Sequence, residues 1–157
     1  SLFARPRDTA DSAKPCGGSS AVDVLLRVSR ISGDPSYEKL AAAMLRLVRD
    51  QMLAHPLASG TWLCALDLHL SDPEEILVFG RCDDPGTEAL LIAIHAQYLP
   101  KRILVGLRTG NPALPLIERL VKGRKLIDGR PTVYVCRRGT CHPPVTDPGQ
   151  LRRVLQN

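Results

Sequence analysis

Aromatic residues are scarce in this chain: one Trp, three Tyr and two Phe among 157 residues. Proteins that grip nucleic acid stack bases on aromatics set within a basic stripe. Here Lys and Arg exceed Asp and Glu by 21 to 16, but the basic residues are spread along the chain. The densest cluster, Lys122, Arg124, Lys125 and Arg130 with Arg137 and Arg138 beyond, holds Tyr134 as its one aromatic. It reads as a solvated basic face, so nucleic acid is not an expected partner. Long apolar runs are missing too: Ile76–Gly80 and Ala89–Ile94 fall far short of the roughly 18 residues of a membrane span. No membrane partner is expected, and no stretch reads as a secretory signal. The cysteines number five, an odd count at modest density, which fits a reducing, cytoplasmic setting better than a disulfide-stapled scaffold. At 44% hydrophobic and 24% charged residues, the composition excludes wholesale disorder.

Fingerprints of cofactor chemistry are also absent. Gly80-Arg81-Cys82-Asp83-Asp84-Pro85-Gly86 is neither a dinucleotide-binding fingerprint nor a Walker loop. Its two aspartates at a helix start would repel a phosphate, and Asp84 as N-cap accounts for the segment. No cofactor is expected. His55, His69 and His95 have no Ser, Cys or carboxylate partner at a telling spacing, and they read as surface or core-edge residues. No catalytic residue is assigned.

The hydrophobic period changes near residue 72. Before it, Ala21, Val24, Leu25, Val28 and Ile31 predict a helix that Gly33 ends. Asp34-Pro35 starts a second helix whose apolar stripe is Tyr37, Leu40, Ala41, Met44, Leu47 and Val48. A third carries Trp62, Leu63, Leu66 and Leu70. These buried faces are made for more neighbours than the chain supplies. After Ser71-Asp72-Pro73 come the strand Ile76–Gly80, a helix opened by Asp84-Pro85, and the strand Ile103–Leu107. A helix from Asn111-Pro112, the strand Thr132–Cys136 and a last helix capped by Asp147-Pro148 follow. The fold class is α/β: a helical segment, residues 1–71, then a small, mainly parallel three-to-four-stranded βαβ region, residues 72–157.

Two stretches hold chemistry-bearing residues. Cys136-Arg137-Arg138-Gly139-Thr140-Cys141 is a C-x4-C pair at a strand end. It reads first as two structural thiols and second as a regulatory or structural disulfide closed by a turn at Gly139. The adjacent arginines would favour thiolate. Metal ranks last, because zinc needs two more ligands and only His142 is near. The second stretch, Arg5 to Ser20, is polar and glycine-rich yet leads directly into an apolar helix. Ser19 or Ser20 can cap that helix; alternatively Asp8, Asp11, Lys14 and Ser19 line a cavity for a polar ligand.

Arg5-Pro6-Arg7-Asp8 with Asp11, Ala13, Pro15 and Gly17 resembles the motif R-P-K-D-x-x-D-x-A-x-P-S-G-N-S. Asp128-Gly129-Arg130-Pro131-Thr132-Val133-Tyr134-Val135-Cys136 through Cys141, then Pro144-Val145-Thr146-Asp147-Pro148, resembles the ending D-G-x-P-T-A-Y-V-C-x4-C-x-x-P-V-T-D-P. With Trp62-Leu63-Cys64-Ala65-Leu66-Asp67, the chain resembles the C-terminal part of the thioredoxin-domain-containing family related to spermatogenesis-associated protein 20. The resemblance implies a longer chain with a thioredoxin-like domain, an (α/α)6 toroid like those of six-hairpin glycosidases and N-acylglucosamine 2-epimerases, and a small α/β end. Residues 1–71 would then be the last toroid helices, and the upstream domains would be partners of this segment. The start at Ser1-Leu2-Phe3 also reads as an internal stretch.

Two departures stand out. The motif's P-S-G-N-S is Pro15-Cys16-Gly17-Gly18-Ser19 here, and no thioredoxin-like C-x-x-C occurs. The expected role is therefore a non-catalytic scaffold or interaction region. The alternatives are part of a carbohydrate-binding or carbohydrate-modifying toroid, and a thiol redox module through Cys136 and Cys141. Uncovered apolar faces also predict self-association of the isolated chain as a homo-oligomer.

Overall fold

A computed structural model describes residues 8–108 and 115–156. The chain divides into two compact units, Ser1–Ser71 and Asp72–Asn157.

The first unit is helical: α1 (Gly17–Ser32), α2 (Pro35–Leu47), α3 (Arg49–Ala54) and α4 (Gly60–Leu70), with a 3-10 turn at Pro56–Ala58. Gly33 ends α1 with φ +77°, a left-handed conformation that costs glycine no Cβ clash, and its N–H donates to the Ser29 carbonyl at 2.8 Å. One residue later Asp34 accepts from the Ser36 N–H at 2.8 Å and starts α2, with Pro35 in its first turn. Val22, Leu26, Ala41, Leu45, Met52, Trp62, Ala65 and Leu68 form the core.

The helices form near their predicted positions, but their buried faces coincide only in part with the predicted stripes: Ala41, Val48 and Trp62 are buried as predicted, and Leu25, Met44 and Leu66 pack against the core. Val24, Leu40, Leu47, Leu63 and Leu70, all assigned to inner stripes, are exposed, while Val22, Leu26, Leu45, Ala65 and Leu68 are buried. The cause is compositional. These helices are apolar on more than one side, so periodicity finds an apolar face without saying which one this unit covers.

The second unit carries a four-stranded sheet of β1 (Glu75–Gly80), β2 (Ile103–Arg108), β3 (Thr132–Arg137) and β4 (Thr140–Cys141), in the order β2-β1-β3-β4. β1 and β2 run parallel and are joined through α5 (Pro85–His95), the predicted βαβ crossover. β3 is a correction to the mainly parallel sheet: it runs antiparallel to β1 and pairs antiparallel with β4, so the sheet is mixed. Among the described residues the β2–β3 connection holds a 3-10 turn and a single helical turn, α6 (Glu118–Val121). That described part holds too little helix to cover the sheet as a second crossover. Instead the chain turns at Asp128 and Gly129, both at positive φ, into the free edge of β1. The start predicted at Asn111-Pro112 lies outside the described residues.

Strand alternation splits the sheet into two faces. Ile76, Val78, Val133 and Val135 pack with Leu90, Ala93 and Ile94 of α5 and with Leu151 and Leu155 of α7 (Pro148–Leu155). Leu77, Phe79, Tyr134 and Cys136 point the other way, and all four are buried. Among the described residues, no helix is long and apolar enough to cross a membrane.

Gly80 ends β1 against the first turn of α5. A Cβ there would overlap Thr87 Oγ1 and stand 3.1 Å from Thr87 Cγ2. Gly80→Ala is expected to lower stability by about 1–3 kcal/mol, with Thr87→Ala in the same chain recovering most of the loss. Urea unfolding of the two variants checks this; an equal loss in both would place the strain elsewhere.

Candidate functional sites

The C-x4-C segment folds as a two-residue β-hairpin. Arg138 (φ +51°) and Gly139 (φ +75°) take the positive φ values that such a turn needs to match strand twist. With Arg137 paired to Thr140, the ladder sets Cys136 opposite Cys141, and the two are joined by a disulfide. This corrects the first reading of the pair as two separate structural thiols. The short turn fixes the register, and the register places the two Cβ atoms on the same face of neighbouring strands. Cys136 is 1% exposed, whereas Cys141 is half-buried.

The arginines beside these cysteines are not the ones that reach the sulfurs. Arg137 pairs with Glu74 at 2.9 Å, and Arg138 pairs with Asp72. The guanidinium on the disulfide belongs to Arg124, whose Nη2 donates to Cys141 Sγ at 3.0 Å and to Cys136 Sγ at 3.4 Å. Its Nη1 donates to the Leu120 carbonyl, and its Cζ lies over the Tyr134 ring, 5.9 Å from the centroid. Tyr134 is itself held at both ends. Its hydroxyl donates to the Lys125 carbonyl at 2.8 Å and accepts from the Lys125 N–H at 3.2 Å, and its ring meets Phe79 edge-on at 5.5 Å. Sequence reasoning missed Arg124 because it lies 12 and 17 residues from the two cysteines. Only its place in a basic cluster with Tyr134 pointed to it.

The second candidate lies at the N-terminus of α1. Asp11 accepts at Oδ1 from the Cys16 N–H (2.9 Å) and Ser19 Oγ (2.7 Å), and at Oδ2 from the N–H groups of Thr61 (2.7 Å) and Trp62 (3.4 Å). One carboxylate thus serves donors at the starts of both α1 and α4. Burial alone would push this carboxyl up, but the bonds from Cys16, Ser19, Thr61 and Trp62 outweigh it and hold Asp11 below the usual carboxylate range. Cys16, standing where the family motif has Ser, acts as N-cap: its Sγ accepts from the Ser19 N–H at 3.3 Å. The Thr9 carbonyl takes hydrogen bonds from Trp62 Nε1 (2.9 Å) and Gln51 Nε2 (2.6 Å).

Beside this clasp is an open cleft of about 670 Å³, lined by Asp8, Thr9, Gly18, Met44 and Trp62 among others. Of the four predicted cavity residues, Asp8 lines the cleft and accepts from the Ala10 N–H at 3.0 Å. Asp11 and Ser19 bond each other beneath it, and Lys14 is exposed and is not among the lining residues.

Several other titratable groups are engaged locally. Arg81 bonds Asp83 at 2.7 and 3.0 Å and pushes that carboxyl down to about 2, while Asp84 caps α5 through the Gly86 N–H. His69 faces Glu38 at 3.4 Å, and His95 faces Arg102 at 3.0 Å. Among the described residues, no group of three or more His, Cys, Asp or Glu side chains is placed to hold a metal ion.

No family model and no solved structure matches the chain. Spermatogenesis-associated protein 20 from rat, human and mouse is similar to it, each at 28% identity over 153 residues. The similarity covers 96% of this chain, which spans about a fifth of the length of these relatives (19%). The likeness read from the two motifs therefore extends over nearly the whole chain.

Asp11→Ala is expected to lower stability by about 1–3 kcal/mol by leaving buried donors unpaired. Fluorescence of Trp62, the chain's one tryptophan, reports on this unit during urea unfolding. Because the folded carboxyl titrates below its unfolded value of about 3.9, its contribution is full above about pH 4 and is lost as pH falls through the folded value. Asp11→Asn should flatten part of that acid limb. An acid limb identical to the parent's would show that the carboxylate does not hold the clasp.

Proposed function

We propose that the chain is a non-catalytic scaffold or interaction region of a longer protein similar to spermatogenesis-associated protein 20. In this reading, its helices form the end of an α/α toroid, and the partner is the upstream part of the same protein. The observation that carries the proposal is the number of exposed apolar side chains on the helical unit. Val24, Leu40, Leu47, Leu53, Leu57 and Leu70 are all more than half exposed. An open groove of about 410 Å³ adds Leu63 and Leu66 beside Met52. Monomeric surfaces scatter such residues singly; several on one small unit are the mark of a face that meets another surface. The chain's share of its relatives' length, 19%, supplies room for that surface. Two exposed thiols, Cys64 and Cys82, fit a reducing, cytoplasmic setting.

A second reading, thiol redox chemistry at Cys136 and Cys141, is favoured by the Arg124 guanidinium on both sulfurs. A carbohydrate-binding cavity has less support, since Asp11 and Ser19 spend their polar atoms on each other and on helix N-termini.

The scaffold reading separates two measurements of one variant. In the isolated chain, Leu47→Gln with Leu70→Gln should change stability by no more than about 0.5 kcal/mol, because both residues are already in water. In the longer protein the same pair should cost about 1.5–3 kcal/mol per buried leucine and lower the melting temperature. Equal melting of variant and parent in the longer protein would remove the proposed contact.

A further inference from the structure

We propose that Arg124 makes the Cys136–Cys141 disulfide a directional exchange site, in which a reducing dithiol attacks the half-buried Cys141 sulfur and the buried Cys136 leaves as a thiolate held by the guanidinium. The inference rests on the redox reading of this pair and adds to it a direction, a co-reactant class and a residue that drives it.

Direction follows from burial. An incoming thiolate must approach one sulfur from solvent. Cys136 is 1% exposed in the interior of β3, whereas Cys141 lies half-buried on the short outer strand β4. The leaving role follows from the guanidinium. A neighbouring cation favours thiolate over thiol, and a better-stabilised thiolate leaves faster. Arg124 Nη2 stands 3.4 Å from Cys136 Sγ and 3.0 Å from Cys141 Sγ, so it can follow charge from one sulfur to the other without moving its anchors. Those anchors are the Leu120 carbonyl and the Tyr134 face, with Tyr134 fixed in turn by the backbone of Lys125. A guanidinium held this firmly loses little freedom when charge develops beside it.

The exchange transfers two electrons. The dithiol's thiolate forms a bond to Cys141 Sγ as the Cys136–Cys141 bond breaks, and that bond's electron pair stays on Cys136 Sγ. The dithiol's second sulfur, its proton released to solvent, then attacks the mixed disulfide, and Cys141 leaves as a thiolate. The dithiol ends as its own disulfide. Cys136 and Cys141 end reduced and take protons from solvent as the pH dictates.

The test equilibrates the folded chain in buffers of reduced and oxidised dithiothreitol, traps with acid, and counts alkylated Cys136 and Cys141 by peptide mass. The parent should pass reversibly from disulfide to dithiol. At pH 7, Arg124→Gln should need about a tenfold higher ratio of reduced to oxidised dithiothreitol, a shift of about 30 mV for a two-electron couple. As pH falls and thiolate gives way to thiol, the two curves should draw together. Arg124→Lys keeps the charge but loses the fork that spans both sulfurs, and it should shift about threefold. Should Arg124→Gln fail to fold, Arg124→Lys decides alone. Curves that match the parent's at every pH overturn the role of Arg124 while leaving the redox reading intact. A pair that stays oxidised under native conditions in dithiothreitol, or that alkylates fully in oxidising glutathione, removes the redox reading and this inference with it.

Discussion

Antiparallel pairing of β3 with the edge of β1 is the constraint on which the α/β unit depends. It sets Leu77 opposite Tyr134 and Glu75 opposite Cys136, so that the side chains of both strands divide between two buried faces. One face closes under α5 and α7 with small branched side chains. The other receives Tyr134, which carries both an aromatic surface for Phe79 and a hydroxyl for the Lys125 backbone. A slip of one residue would send Tyr134 and Cys136 into the aliphatic core and leave Arg124 without its ring. The disulfide therefore sits at the end of a chain of consequences that begins with register rather than with cysteine chemistry.

In the helical unit a comparable economy centres on Asp11. Helix N-termini leave unpaired N–H groups, and each normally needs its own side-chain or solvent acceptor. Here a single carboxylate outside both helices serves α1 and α4, with Cys16 adding only a weak sulfur cap. Thiol sulfur is a poorer acceptor than hydroxyl oxygen, so moving the motif's Ser to Cys16 shifts the load onto Asp11. The same geometry brings the first turn of α1 onto α4: Gly18 lets the backbone approach the Trp62 ring, where a Cβ would lie 2.8 Å from Cζ2. The ring nitrogen of Trp62 then reaches the Thr9 carbonyl.

Much of this was legible in the residues. The change of period after Ser71, the proline-marked helix starts at Asp34, Asp84 and Asp147, and the strands at 76–80, 103–107 and 132–136 all depend on local signals, and each appears in the structure, although the edge strand at 103–107 buries only Ile103 fully. What was not legible depends on contacts far apart in the chain. Strand direction for β3 is decided by how much helix lies between it and β2, and the basic, glycine-punctuated connection after α6 gives no periodic sign of that. The candidate site divided the same way. The C-x4-C turn is local and was read as able to bring two sulfurs together, whereas the residue that conditions them approaches across the sheet face. Arg137 and Arg138 were credited with that role by adjacency, but strand alternation and the tight turn carry them to Glu74 and Asp72.

The helix faces, legible only in part, bear most directly on what the chain is for. An amphipathic helix that folds alone against one neighbour shows a single apolar stripe, and periodicity finds it. α1, α2 and α4 show apolar residues on two sides, and the stripes that periodicity selects straddle both: Ala41, Val48 and Trp62 are buried, while Val24, Leu40, Leu47, Leu63 and Leu70 are left in water. A pattern that strong on the exposed side has a cost in solubility when nothing covers it, and no compensating gain within this unit is visible. The side that is buried here mixes large residues such as Leu26, Leu45, Trp62 and Leu68 with small ones, among them Val22, Ser29, Ala41 and Ala65, which suit close helix–helix approach. Two apolar sides on each of three helices are what a helix needs when it packs between two layers rather than against one. The ambiguity that defeats the periodicity argument and the uncovered leucines that motivate the scaffold reading are thus one physical feature, seen first in the sequence and then on the surface.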